Sequence, residues 1–157
     1  MTVEFSTACK DWERRVLERE SLISFPPLFP EEAEAGLSVF KALQLVDVQD
    51  RPTFGQIGRQ WIFDFVGSVF GAYDAESGRR LISEFFLFVA KKNSKSTLAA
   101  ALMLTCLIRN WRDSAEFLIL APTVEIASNS FIPARDMVSA DEELSRQNRR
   151  LRGGHHA

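Results

Sequence analysis

Glycine is missing from the second half of the body of this 157-residue chain: of eight glycines, none lies between Arg79 and Arg152. Any turn there that needs a positive φ must use a residue with a Cβ. Cysteine is scarce as well. Cys9 and Cys106 stand alone, far apart and without metal-ligand spacing, which excludes a disulfide scaffold or zinc site and leaves isolated thiols. No apolar run approaches the roughly 18 residues that span a bilayer. Asp11, Glu13, Glu18 and Glu20 interrupt the opening segment, unlike a secretory leader, so no membrane partner and a cytoplasmic location are expected. Neither charge sign dominates. Nineteen Lys and Arg against 21 Asp and Glu give −2, with no global attraction to nucleic acid, although a local basic channel is compatible with that total.

What is present has globular proportions, 46% hydrophobic and 25% charged, and the length suits one compact unit. Three segments are expected: an N-terminal helical segment over 1–55, the first part of a second domain over 56–140, and a basic, disordered tail over 141–157. Trp12, Val16 and Leu17 among charges predict a short surface helix. Pro30, Glu31 and Glu32 open a second helix to about Leu43, with Ala33, Leu37, Phe40 and Leu43 as its buried stripe. After a turn at residues 50–55, Ile57 to Val69 return to helical spacing. Asp74 to Gly78 has hairpin or loop chemistry, and Leu81 to Glu84 and then Phe85 to Val89 read as strand. Thr97 to Ile108 reads as a buried helix lying against a sheet, Phe117 to Ala121 as a short apolar second strand, and the residues after Pro122 as a helix kinked or split at Pro133. Strand, loop, helix, strand and helix in that order predict a parallel crossover, hence an α/β fold of parallel strands with flanking helices.

The loop inside this unit, Ala90 to Thr97, occupies the strand-to-helix position where nucleotide-binding folds hold phosphate. Backbone N–H groups and a helix N-terminus would converge on the anion, Lys95 would reach the outer phosphates, and the Ser96 hydroxyl would help hold magnesium. Glycine is absent from both positions where the general pattern requires it, which are Val89 and Ser94. A left-handed residue other than glycine costs about 1–2 kcal/mol, less for Asn, and several charge-assisted phosphate bonds outweigh that. Asn93 is the expected left-handed residue. By its letters alone the loop also describes a solvated basic turn carrying Lys91, Lys92 and Lys95, and the motif in isolation favours that blander account.

Taken together, Arg59-Gln60-Trp61, Phe70-Gly71-Ala72-Tyr73, Gly78-Arg79-Arg80, the loop Lys91 to Thr97, and Ala121 to Ala127 resemble, in order and spacing, the large terminase subunit of tailed phages. In that family the Walker A loop commonly reads basic-basic-Asn-small-Lys-Ser/Thr. The resemblance spans roughly residues 25–144. It implies a partial P-loop NTPase, with ATP and Mg2+ held by Gln60 at the adenine edge and by Lys91, Lys92, Asn93, Ser94, Lys95, Ser96 and Thr97 at the phosphates. Ser96 would meet magnesium through the nucleotide. Double-stranded DNA, the small terminase subunit and the portal are the partners implied for the full-length family, in the cytoplasm of a bacterial host.

No catalytic residue is assigned, because the acidic strand end that orients water and the nuclease carboxylates of that family have no counterpart here. The tail, with Arg146, Arg149, Arg150 and Arg152 and then Gly153 to Ala157, leaves the resemblance abruptly, so a truncated prophage product is expected. The alternative is a non-catalytic module whose basic loop and tail hold nucleic acid or a partner. A small phosphotransferase is a third reading without an acceptor-site acid. Outside the family, Gln60 reads as a surface amide and Thr123 as a helix N-cap. Trp61 and the phenylalanines at 63, 65, 85, 86 and 88 read as core rather than base-stacking groups.

Overall fold

The computed structural model describes residues 6–112 and 115–146, so the basic tail from residue 147 on lies outside the described residues. The named elements are α1 (Trp12–Glu18), α2 (Pro30–Ala42), α3 (Phe54–Ile57), α4 (Gln60–Phe70), β1 (Tyr73–Asp74), β2 (Arg79–Arg80), α5 (Lys95–Ile108) and α6 (Val124–Ala140), and residues 142–146 are helical as well. The chain divides into two compact units, one of residues 1–38 and 58–87, the other of 39–57 and 88–157.

In the first unit, α1 forms where a helix was expected, but its apolar edge stays in solvent and none of its residues is buried. Charge pairing holds its surface: Arg14 bonds Asp11, Glu18 and Glu20, and Arg15 bonds Asp11. The first turn of α2 carries Glu31 and Glu32, which favour the positive end of a helix. Burial on α2 here centres on Ala33 and Gly36. A Cβ added at Gly36 would sit 2.3 Å from Cγ of Phe70, so glycine is what lets this turn meet the end of α4. The Phe29 N–H then donates to the carbonyl of Gly71 at 2.9 Å. β1 and β2 pair antiparallel with Tyr73 opposite Arg80 and Asp74 opposite Arg79. The turn between them is organised by the Asp74 carboxylate, which accepts from the Ser77 hydroxyl at 2.6 Å and the Glu76 N–H at 3.0 Å. Those bonds, the Ser77 hydroxyl first, hold the Asp74 carboxyl below its ordinary pKa.

In the second unit, Phe40, Leu43 and Phe54 are buried, with the rings of Phe40 and Phe54 4.6 Å apart. The turn at residues 44–53 closes through the Leu45 N–H to the Pro52 carbonyl at 2.8 Å. α5 packs on α6. Leu98, Ala100, Ala101, Leu104 and Thr105 are buried on the former, Ala134 and Met137 on the latter. Thr105 avoids an unpaired buried hydroxyl by donating to the carbonyl of Ala101, one turn back, at 2.8 Å. Thr123 caps α6, its hydroxyl accepting from the Ile126 N–H at 3.2 Å. Pro133 does not split α6, which runs unbroken past it. It forfeits one backbone bond, while Ala134 and Met137 just beyond it are buried.

The α/β expectation fails here. Neither Phe85–Val89 nor Phe117–Ala121 pairs into a sheet, and the only ladder among the described residues is the short antiparallel hairpin. The fold is mostly helical, and the apolar surface of α5 meets α6 rather than parallel strands. The physical reason is that a β-strand exists only through a hydrogen-bonded neighbour, which an apolar run does not itself provide. Residues 85–90 still alternate between half-buried and exposed, the period-2 pattern of extended backbone. Phe86 and Phe88 are 87% and 88% exposed, which overturns their assignment to the core. Phe65 and Phe85 meet edge to face at 6.3 Å, in keeping with a packing role.

Candidate phosphate-binding loop

The second unit places the expected loop directly before α5, whose first residue is Lys95. The backbone reverses hand twice: Lys92 has φ 67° and Ser94 has φ 51°, whereas Asn93, expected to carry the left-handed conformation, does not have a positive φ. Alternation of this kind curls successive N–H groups toward one side, the arrangement that makes a backbone nest for anions. The carbonyl of Ser94 accepts the first bond of α5, from the Leu98 N–H at 2.9 Å. The N–H groups of Lys95, Ser96 and Thr97 therefore belong to the helix turn that has no intrahelical acceptors.

Side chains tie the same turn together. Asn93 Nδ2 donates to the carbonyl of Ala90 at 3.2 Å. Lys95 Nζ donates to the carbonyls of Val89 and Ala90 at 3.2 and 3.0 Å. The lysine is folded over the start of the loop, where it neutralises carbonyls that would otherwise face an incoming anion. All three groups are exposed, so water competes for these bonds and each contributes little to stability. The carbonyls of Val89 and Ala90 are the part that the letters did not reveal, since any residue provides a carbonyl and only the backbone path decides where it faces.

Lys91, Lys92, Asn93, Ser94, Lys95 and Ser96 are exposed and Thr97 is half-buried. Three ammonium groups within five residues make the loop the basic end of α5. A helix N-terminus already favours anions, so the charges of side chain and backbone act in the same sense. No group of three or more His, Cys, Asp or Glu side chains suited to a metal occurs among the described residues. The exposed Ser96 hydroxyl in the first turn is an oxygen donor of the type magnesium prefers.

Gln60 lies in the other unit, as the first residue of α4, exposed, with its amide donating to the Asp64 carboxylate at 2.8 Å. That bond is an ordinary i to i+4 surface pair. The other matched segments also do local structural work: Gly71 and Ala72 connect α4 to β1, Gly78 leads into the returning strand Arg79–Arg80, and Thr123 caps α6. The Arg80 guanidinium donates to the Val69 carbonyl at 3.0 Å. No described helix is long and apolar enough to cross a membrane. No protein-family model, curated protein or solved structure matches this chain.

Proposed function

We propose that Lys91 to Thr97 form a phosphate-binding loop for ATP with Mg2+, and that the chain is the amino-terminal, ATP-binding portion of a tailed-phage terminase large subunit. The observation that carries this reading is the left-handed Ser94 immediately before Lys95 at the start of α5. That is where a phosphate loop normally uses glycine, and here a serine holds the same hand of backbone without it. The amides of Lys95, Ser96 and Thr97 would bind phosphate oxygens, Lys95 Nζ would exchange two carbonyls for the outer phosphates, and Ser96 would meet the magnesium ion. The carbonyls of Val89 and Ala90 carry only partial charge, whereas a triphosphate offers full negative charges, so it would draw that ammonium away from them. The assignment of Gln60 to the adenine edge rests on the terminase resemblance alone. Double-stranded DNA, the small terminase subunit and the portal are proposed partners of the larger machine, and no hydrolytic role is assigned to any residue of this chain.

Calorimetric titration with ATP and Mg2+ tests the assignment. Lys95→Ala should weaken binding at least about tenfold, the loss of one or more charge-assisted bonds, while Lys10→Ala leaves it unchanged. Equal affinity for wild type and Lys95→Ala would remove the loop from the site. Salt-sensitive DNA binding that survives Lys95→Ala would instead favour a non-catalytic nucleic-acid module.

A further inference from the structure

We propose that residues 117–121 are a self-complementary edge that pairs, antiparallel, with the same segment of a second copy of this chain. The segment Phe117-Leu118-Ile119-Leu120-Ala121 contains no charged residue. It belongs to no helix or strand and has no positive φ. Its side chains alternate as those of a strand do: Leu118 and Leu120 are 76% and 89% exposed, Phe117 is 38% exposed and Ile119 is half-buried. An uncharged apolar segment with unpaired backbone is a template for strand addition.

The order of residues selects the occupant. In an antiparallel pair centred on Ile119, Leu118 faces Leu120 of the other copy, Phe117 faces Ala121, and Ile119 faces its own counterpart. Both faces are then apolar, and the largest side chain lies opposite the smallest, which favours close cross-strand packing. At the ends Glu116 faces Pro122 rather than another carboxylate, so no like charges oppose each other. Pro122 has no N–H and ends the ladder there, and a pairing centred on Ile119 is two-fold symmetric, which gives a dimer. A charged peptide would find no complementary charge in this segment, and a net charge of −2 per chain sets only weak repulsion between copies. The contact is small, in the class below about 1,200 Å2, so association should depend on concentration rather than be obligate.

Sedimentation equilibrium of the full chain over a hundredfold concentration range should show a monomer–dimer equilibrium. Combining Leu118→Lys with Leu120→Lys, at two exposed positions, should raise its Kd at least tenfold by setting like charges opposite each other. A second measurement does not rely on charge. With Cys9→Ser and Cys106→Ser in place, Ile119→Cys should give a disulfide-linked dimer on mild oxidation, because that position meets its own counterpart at a separation a disulfide bridges. Leu118→Cys, facing Leu120 instead, should cross-link far less. A monomer at every concentration, a dimer insensitive to the lysine pair, or equal cross-linking at positions 118 and 119 would each overturn the proposal.

Discussion

Residues up to Gly78 can use glycine for a close contact or a left-handed turn, although Arg19, Asp50 and Arg51 are left-handed there as well, whereas those from Arg79 to Arg152 have no glycine to use. All six glycines before Arg79 lie in the first stretch. There Gly36 admits the Phe70 ring, and Gly78 turns the hairpin at φ 66° with open space around it. In the second stretch the positive φ values fall on Lys92 and Ser94, and tight packing on α5 and α6 relies on alanine at 100, 101 and 134. Left-handed backbone is thus nearly free of strain in the hairpin, whereas in the loop it is strained and accompanied by the bonds of Asn93 and Lys95 to loop carbonyls. A turn held in a costly conformation next to a helix N-terminus is more informative about function than one that glycine makes without cost.

The sharpest way to break this contrast is Gly36→Leu. The added Cβ would overlap the ring of Phe70, a buried side chain attached to backbone that cannot simply swing aside, so urea denaturation should show a loss of about 3 kcal/mol or unfolding outright. Gly78→Ala isolates the conformational part, because nothing lies within 4 Å of the new Cβ. A loss of about 1 kcal/mol is expected, from left-handed strain partly offset by a less flexible unfolded chain. Ser94→Gly should act in the opposite direction, stabilising by about 0.5 kcal/mol in the same denaturation assay as strain relief exceeds the added chain entropy. If Ser94→Gly destabilises, the serine is not strained and the contrast fails.

The smallest effect concerns α1. Arg14 and then Arg15 hold Asp11 down from the ordinary 3.8 to about 2. A carboxyl depressed in the folded state favours folding when the pH is above its unfolded value, and that contribution disappears as pH falls through the folded one. Asp11 is fully exposed, so the effect on global stability should be minor. NMR titration of the Asp11 carboxyl should place its midpoint near 2, and a midpoint near 3.8 would dissolve the charge cluster around α1.

Local pattern reached far into this molecule, and its failures share one cause. The proline and two acids at 30–32 marked the start of α2, the spacing of Ala33, Phe40 and Leu43 marked buried positions, and Thr123 marked the cap of α6, because each depends on neighbours within a turn or two. The loop before α5 was legible as a candidate through its lysines and its place before an apolar helix. Its left-handed residues were not, since Asn93 was expected where Lys92 and Ser94 carry the positive φ. Phe85–Val89 and Phe117–Ala121 had the composition of buried strands and are neither paired nor fully covered.

By itself, the order of amino acids determined most of the helices, the Thr123 cap and the hairpin turn, through interactions that close within a few residues. Only tertiary structure decided that α5 packs on another helix and that two apolar segments stay without a ladder. A helix satisfies its own backbone hydrogen bonds, while a strand must borrow them from residues that may lie anywhere in the chain.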